Sequence, residues 1–295
     1  MFDLRDMEIL AALSQHGHFK RAADACGISQ PAFSTRLSNL EKKLGAPLVK
    51  RGNRYVGLTP EGEIALLWAR RILQNAEALR QDITATRDGL NGHVAIGVVP
   101  TAVSFVAQVS IVLRKAHPGL TVEIRSASSD QIQRELASQA LDIGVTYSNR
   151  IEGAGYQAEH LYDEKYVLVA SETLIDPALE TISWTDAANI PLCLLSTDMN
   201  NRRIIDRVFS SIDATPIIAL ETNAFTAALV QVGAGLAGTI SPRHLIKDIY
   251  LPPHLVVLPL VDPVISEPIG FVTTARDTIL PTIQETLAAC REVSR

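Results

Sequence analysis

Residues 29–45 read SQPAFSTRLSNLEKKLG, and the reading of this stretch decides the rest of the chain. Ser29 suits an N-cap, and Pro31 falls in the first helical turn, where its missing N–H costs nothing. Phe33, Leu37, Leu40 and Leu44 step by four, three and four, which places them on one core stripe of a helix. At about 100° per residue, the opposite direction falls on Pro31, Thr35, Ser38 and Lys42, with Ser34 on the flank and Gln30 at the N-terminal tip. Small hydroxyls let a helix approach a groove floor. A side-chain amide can bond an adenine edge at two points, and a thymine methyl packs against small apolar groups. A small helical bundle with no ligand would show the same stripe, so this face leaves both readings open.

Working outward, Leu4, Met7, Leu10 and Leu13 step by three up to Gly17, and a short amphipathic piece, Phe19 to Cys26, stops at Gly27. Three short helices with a tight turn between the second and third make a helix-turn-helix. On the C-terminal side, PLVKRGNRYVGLT (47–59) reads as strand, basic turn and strand, with Lys50, Arg51 and Arg54 in or beside the turn. Such a hairpin beside a recognition helix reaches phosphates or the neighbouring minor groove. Thr59-Pro60-Glu61 then opens a helix expected to run to about Asp88. Its seam of Ile64, Trp68, Ile72, Ala76, Leu79 and Ile83 calls for a partner, and a symmetric copy is the simplest. Packing on its own body domain is the alternative. Asp88-Gly89-Leu90-Asn91-Gly92 reads as a hinge.

The charge is uneven. Of 295 residues, 27 are basic and 32 acidic. Residues 1–90 hold 13 Lys/Arg against 10 Asp/Glu, and residues 91–295 hold 14 against 22. A basic head on an acidic body suits a polyanion partner, although a solvated basic face explains it equally well. Cys26, Cys193 and Cys290 stand far apart without metal-ligand spacing, which points to a reducing compartment. The N-terminus lacks a basic leader, so a cytoplasmic location is expected. Val94 to Leu113 is 20 residues without a charge, but Gly97, Pro100, Thr101, Ser104, Gln108 and Ser110 interrupt it. It reads as a buried strand followed by a helix, not a membrane span.

The head resembles the LysR-type transcriptional regulators. The resemblance rests on F-x-R-A-A at 19–23, S-Q-P-A-x-S at 29–34, L-E-x-x-L-G-x-P-L at 40–48 and L-T-P-x-G at 58–62. It implies an α/β chain in three parts: a winged helix-turn-helix over 1–58, a dimerising linker helix and hinge over 59–91, and a two-lobed effector domain over 92–295. That effector domain resembles a periplasmic binding protein, with lobe I at about 92–162 and 267–295 and lobe II at about 163–266. The resemblance implies base contacts from Gln30, Pro31, Ser34 and Thr35, and phosphate contacts from Arg51 and Arg54. Ser29, Arg36 and Ser38 complete the candidate DNA-binding surface. One departure stands out: Thr35 occupies a place where many relatives carry Arg or Lys. The implied partners are a promoter inverted repeat in double-stranded DNA, a small-molecule effector, further copies of the chain up to a tetramer, and RNA polymerase. No cofactor, metal or membrane is implied. The stretch LLSTDMNNRRIID (194–206) resembles regulators that lie beside formate dehydrogenase genes.

From Gly92 onward, apolar strands alternate with amphipathic helices, which predicts parallel-type sheets covered on both faces and built as two lobes. Ligands of open α/β sheets bind where strands end and helices begin. Those edges carry Thr101, Ser128, Ser129 and Tyr147 in the first lobe, and Ser196, Thr197, Thr222 and Asn223 in the second. Hydroxyls and helix N-termini meeting in one cleft favour a small anion such as a carboxylate. Each could instead be a simple cap. In the family such positions line the effector pocket, most clearly the one at Thr101. Arg202 and Arg203 could supply charge or face solvent. Gly233-Ala-Gly235-Leu-Ala-Gly238 matches G-x-G-x-x-G but ends a helix and opens a strand, the reverse of a dinucleotide site. No HExxH, GxSxG or paired carboxylates appear, so no catalytic residue is expected. The alternative is a solute-binding or dehydratase-like α/β domain fused to a helical head.

Overall fold

The computed structural model describes residues 2–50, 55–88, 90–151, 155–275 and 279–295, and side chains within these except at 74, 81, 82, 84–88 and 150. The chain divides into two compact units, one built mainly on residues 1–90 and the other on 91–277 and 282–295.

The first unit holds α1 (Leu4–His16), α2 (Phe19–Ala25), α3 (Gln30–Leu44) and α4 (Pro60–Asp88). A reciprocal cap starts α1: Asp3 accepts from the Asp6 N–H, and Asp6 accepts from the Asp3 N–H. Ile9, Leu10, Leu13, Phe33 and Leu40 are fully buried between the first three helices. Each such side chain contributes about 1.5–3 kcal/mol relative to exposure. Phe19 meets Phe33 and Tyr55 edge-on at 6.2 and 6.3 Å.

Two expectations change here. The strand pair after α3 is reduced to one antiparallel bridge, Val49 with Leu58, supported by the Lys50 N–H donating to Gly57 O. The expected basic turn at Arg51 and Arg54 lies outside the described residues. Along α4, a second apolar stripe exists that the seam analysis did not anticipate. Leu66 and Ala69 are buried in the head core, with Ile72 and Leu73 packed against it. The helix therefore packs on its own unit through one face, which takes Ile72 from the predicted seam and leaves Ile64, Trp68, Leu79 and Ile83 exposed.

The second unit contains β1 (Gly92–Val98), α5 (Val103–Ala116), β2 (Leu120–Ser126), α6 (Ser129–Ala137), β3 (Ile143–Tyr147), β4 (Tyr156–Ser171), β5 (Ile182–Ser183), α7 (Trp184–Ala188), β6 (Leu192–Leu195), α8 (Asn200–Ser211), β7 (Ile218–Thr222), α9 (Phe225–Gly233), β8 (Gly238–Pro242), α10 (Arg243–Lys247), β9 (Leu255–Val261), β10 (Ser266–Thr274) and α11 (Pro281–Val293). Strand order is β2-β1-β3-β10-β4-β8-β6-β7, with β9 pairing to β4 and β5. The sheets are mixed, not purely parallel. β1 runs parallel to β2 and β3, while β10 is antiparallel to β3 and β4, and β4 is antiparallel to β8 and β9. The antiparallel members are long return strands, whose apolar runs look like those of buried parallel strands.

β4 is the common spine. It pairs with β10 as far as Lys165 and with β8 from Tyr166 onward. The change of partner from β10 to β8, where the chain crosses between lobes, therefore falls at Lys165–Tyr166, and Glu164 stands beside it. The Gly-rich decoy behaves as read: Gly235 closes α9 in a left-handed conformation (φ +73°) and β8 follows. Among the described residues, no helix is long and apolar enough to cross a membrane.

Candidate nucleic-acid interface and effector cleft

Ser29 caps α3 by accepting from the Ala32 N–H at 3.4 Å, which directs the helix N-terminus and Gln30 outward. Gln30, Pro31, Thr35, Ser38 and Lys42 are exposed, and Ser34 is half-buried. The outward face computed from the sequence is therefore an outward face in the fold.

Arg36 is the exception among the expected DNA-contacting residues. Its Nε donates to Asp6 Oδ1 at 2.8 Å and its Nη2 to Asp3 at 2.6 Å. Lys43, two helical turns along the same flank, donates to Asp6 Oδ2 at 2.8 Å. The position of Arg36, 60° from the Phe33 direction at 100° per residue, sends its long side chain back toward α1. The guanidinium beside Asp3 lowers that carboxyl. Burial would raise Asp6, but hydrogen bonds from Lys43, the Asp3 backbone and Arg36 outweigh it and hold the carboxyl below its ordinary value. Arg36 is thus committed to fixing α3 against α1.

Glu41 was not singled out by the sequence. Its Oε1 accepts from the Leu48 and Val49 N–H groups at 2.8 and 3.3 Å, which explains an acid on an otherwise basic helix end. Gly62 has an equally local reason: a Cβ there would collide with the Leu48 carbonyl oxygen. The Glu41 bonds join α3 to the Val49–Leu58 bridge, and the bare Gly62 lets the start of α4 pass close to Leu48. Along α4, the seam is largely uncovered: Ile64, Trp68, Leu79 and Ile83 are 61, 55, 63 and 57 % exposed. Ile64, Trp68 and Ile72 edge an apolar groove of about 390 Å³ that Met7, Leu10 and Leu44 also line.

In the second unit, the expected strand-edge residues divide. Thr101, in the turn after β1, and Tyr147, at the end of β3, are buried and 3.4 Å apart. The Tyr147 hydroxyl donates to Glu164 Oε2 at 2.9 Å. The others act locally. Ser128 caps α6 by accepting from the Gln131 N–H, and the Thr146 hydroxyl donates to Ser129 Oγ at 2.9 Å. The Ser196 hydroxyl donates to Asp198 at 2.6 Å, and Thr222 Oγ1 accepts from the Ala224 N–H. Thr197 and Asn223 are exposed. Arg202 is buried and bound to Leu195 O, Glu221 and Asp206, and Arg203 reaches Thr197 O and Asp130.

The residues that join Thr101 and Tyr147 are Glu164, Tyr166 and Asn201, all missed by the sequence reading. Their signal was strand parity: Glu164 and Tyr166 alternate with charged Asp163 and Lys165 in LYDEKYVLV. Glu164 is fully buried. Burial pushes its carboxyl up to about 7, against the opposing hydrogen bonds from Thr101 and Tyr147. A buried acid here weighs against the anionic ligand expected from the hydroxyls alone. Elsewhere, burial raises the thiols of Cys193 and Cys290, the latter to about 12. Among the described residues, no group of three or more His, Cys, Asp or Glu is placed to hold a metal ion.

A helix-turn-helix head with an exposed polar recognition face, joined by a long helix to a two-lobed α/β unit, defines the architecture of a ligand-responsive DNA-binding protein. Residues 4–63 match the bacterial regulatory helix-turn-helix protein, lysR family, and residues 87–295 match the LysR substrate binding domain. The chain belongs to the LysR family. It is 29 % identical over 194 residues to a hydrogen peroxide-inducible genes activator of Dickeya chrysanthemi, covering 65 % of this chain and 63 % of that one. It is 30 % identical over 194 residues to the DNA-binding transcriptional dual regulator OxyR of Escherichia coli K12, with the same coverage. The matched segment thus spans less than two thirds of these relatives. Two solved structures share the fold over the whole of both chains: a full-length OxyR variant from Pseudomonas aeruginosa (TM-score 0.78, 22 % identity) and CbnR, a LysR family transcriptional regulator (TM-score 0.66, 20 % identity).

Proposed function

We propose that the protein is a sequence-specific DNA-binding transcriptional regulator of LysR type, controlled by a small molecule held between the lobes of its second unit. It acts in the cytoplasm and catalyses no reaction. The observation that carries this reading is the outward face of α3, which presents Gln30, Pro31, Ser34, Thr35 and Ser38 while Phe33, Leu37 and Leu40 are buried behind it. Two heads enter successive major grooves of an inverted repeat, held at that spacing by pairing of α4 seams. The uncovered Ile64, Trp68, Leu79 and Ile83 support that pairing. The complete assembly is a tetramer that works with RNA polymerase. A complex with target DNA has been solved for CbnR, which supports the same partner here.

The effector changes head spacing only through unequal affinity for two assembled states. Peroxide, named in the relatives, is not carried over. Cys193 and Cys290 are buried, Cys26 is half-buried, and burial raises all three thiols, the opposite of what a reactive cysteine needs.

Selection from a random duplex library tests the reading. The wild-type chain enriches a two-fold-related motif, and Ser34→Glu, which places an anion against the groove, enriches none. A Ser34→Glu chain that enriches the same motif would overturn the assignment of α3.

A further inference from the structure

The junction between the lobes contains an acid in an unusual setting. Glu164 is fully buried, its Oε2 accepts from Tyr147, and its Oε1 has no hydrogen-bond partner. Glu267, its neighbour across the β4–β10 pairing, acts on it by repulsion. Beside it, the Tyr166 hydroxyl lies within reach of hydrogen bonds from Tyr147 and Asn201. Asn201, in the first turn of α8 on the other lobe, is 3 % exposed, and its amide has no well-formed hydrogen bond beyond its approach to Tyr166. A buried polar group with no partner costs roughly 1–3 kcal/mol, and a carboxylate costs more. Glu164 on β4 and Asn201 on α8 both act on Tyr166, and polar atoms left open on these two buried side chains mark a place built to receive polar atoms from outside the chain.

The signs of these groups define the guest. The unpaired Glu164 oxygen needs a donor, and a positive one compensates the buried charge. Arg202, the cation that might have welcomed an anion, is already bound to Glu221 and Asp206. Asn201 can donate to an acceptor on the same guest. We propose that the ligand of this cleft is a small molecule with a protonated amine, whose N–H groups dock on Glu164 Oε1 and whose acceptor end meets the Asn201 amide. This deepens the proposed function by naming the effector class, and it rests on that reading only in treating the cleft as the effector site.

The test uses the full-length chain without DNA, so its outcome is independent of whether α3 reads bases. Thermal unfolding is followed in methylammonium chloride, sodium formate and sodium chloride at equal ionic strength. Methylammonium should raise the midpoint of the second unit by about 3 °C or more over sodium chloride, and formate should not. Glu164→Gln, close in shape to the native side chain, should abolish the rise. If that variant does not fold, Asn201→Ser takes its place and should reduce the rise. Stabilisation by formate in preference to methylammonium, a rise that survives both substitutions, or no shift with either salt would each overturn the proposal.

Discussion

Replacing Asp6 by asparagine removes the anion on which Arg36 and Lys43 converge, and the structure sets the size of the loss. Two charge-assisted bonds of 2.8 Å end on this carboxylate, which is itself 1 % exposed. Bonds to a charged group contribute about 1.5–3 kcal/mol each when sequestered. The Arg36 and Lys43 side chains are 35 and 36 % exposed, so they regain water once released and most of that value is screened away. A net loss of about 2 kcal/mol for the head is expected, close to a 30-fold change in its folding equilibrium. Asp6 lies below its ordinary value of 3.8 in the folded chain. Its contribution is therefore present above that value and disappears as pH falls through the lower folded one. The assay is urea unfolding of Asp6→Asn and its parent in a Trp184→Phe background, where Trp68 alone reports, and the reporter lies in the head. The gap between the two proteins should be near 2 kcal/mol at neutral pH and should close in acid. A gap under about 0.5 kcal/mol, or one that does not shrink with falling pH, refutes the role assigned to this ion cluster.

Three further outcomes are expected. Gly62→Ala should destabilise the head by about 1–3 kcal/mol in the same assay, because the new methyl meets the Leu48 carbonyl. Trp68→Glu should weaken self-association at least tenfold by sedimentation while the circular dichroism of the chain is retained, since Trp68 is 55 % exposed on the open α4 seam. Peroxide treatment should leave DNA affinity within about twofold, because burial raises the thiols of Cys193, Cys290 and the half-buried Cys26. A peroxide-dependent change in binding would show that a thiol is reactive after all.

Much of the head was legible because short-range chemistry fixes it. Ser29 as a cap, Gly17 as a stop, and the Phe33-Leu37-Leu40 stripe each act within one or two helical turns. The bonds of Arg36 were not legible because its acceptors, Asp3 and Asp6, lie 33 and 30 residues away, and no helical wheel contains them. The second α4 stripe was missed for the same reason: Leu66 and Ala69 are apolar for the sake of the head core. In the second unit, strand positions could be read from apolar runs, but strand direction could not. β4 and β10 run antiparallel, and it is this pairing that brings Glu164 to the crossing between lobes. Ser128, Ser196 and Thr222 make local cap and turn bonds, which the sequence could not separate from ligand contacts because the same hydroxyl chemistry serves both uses.

Binding of the full-length chain to its selected duplex, repeated with every single base substitution and compared with Gln30→Ala, tests direct base reading by α3 most closely. The account predicts that Gln30→Ala loses discrimination of about 1–3 kcal/mol at one base pair in each half-site and keeps the wild-type profile elsewhere. Uniform weakening across all duplexes, or an unchanged profile, would contradict it.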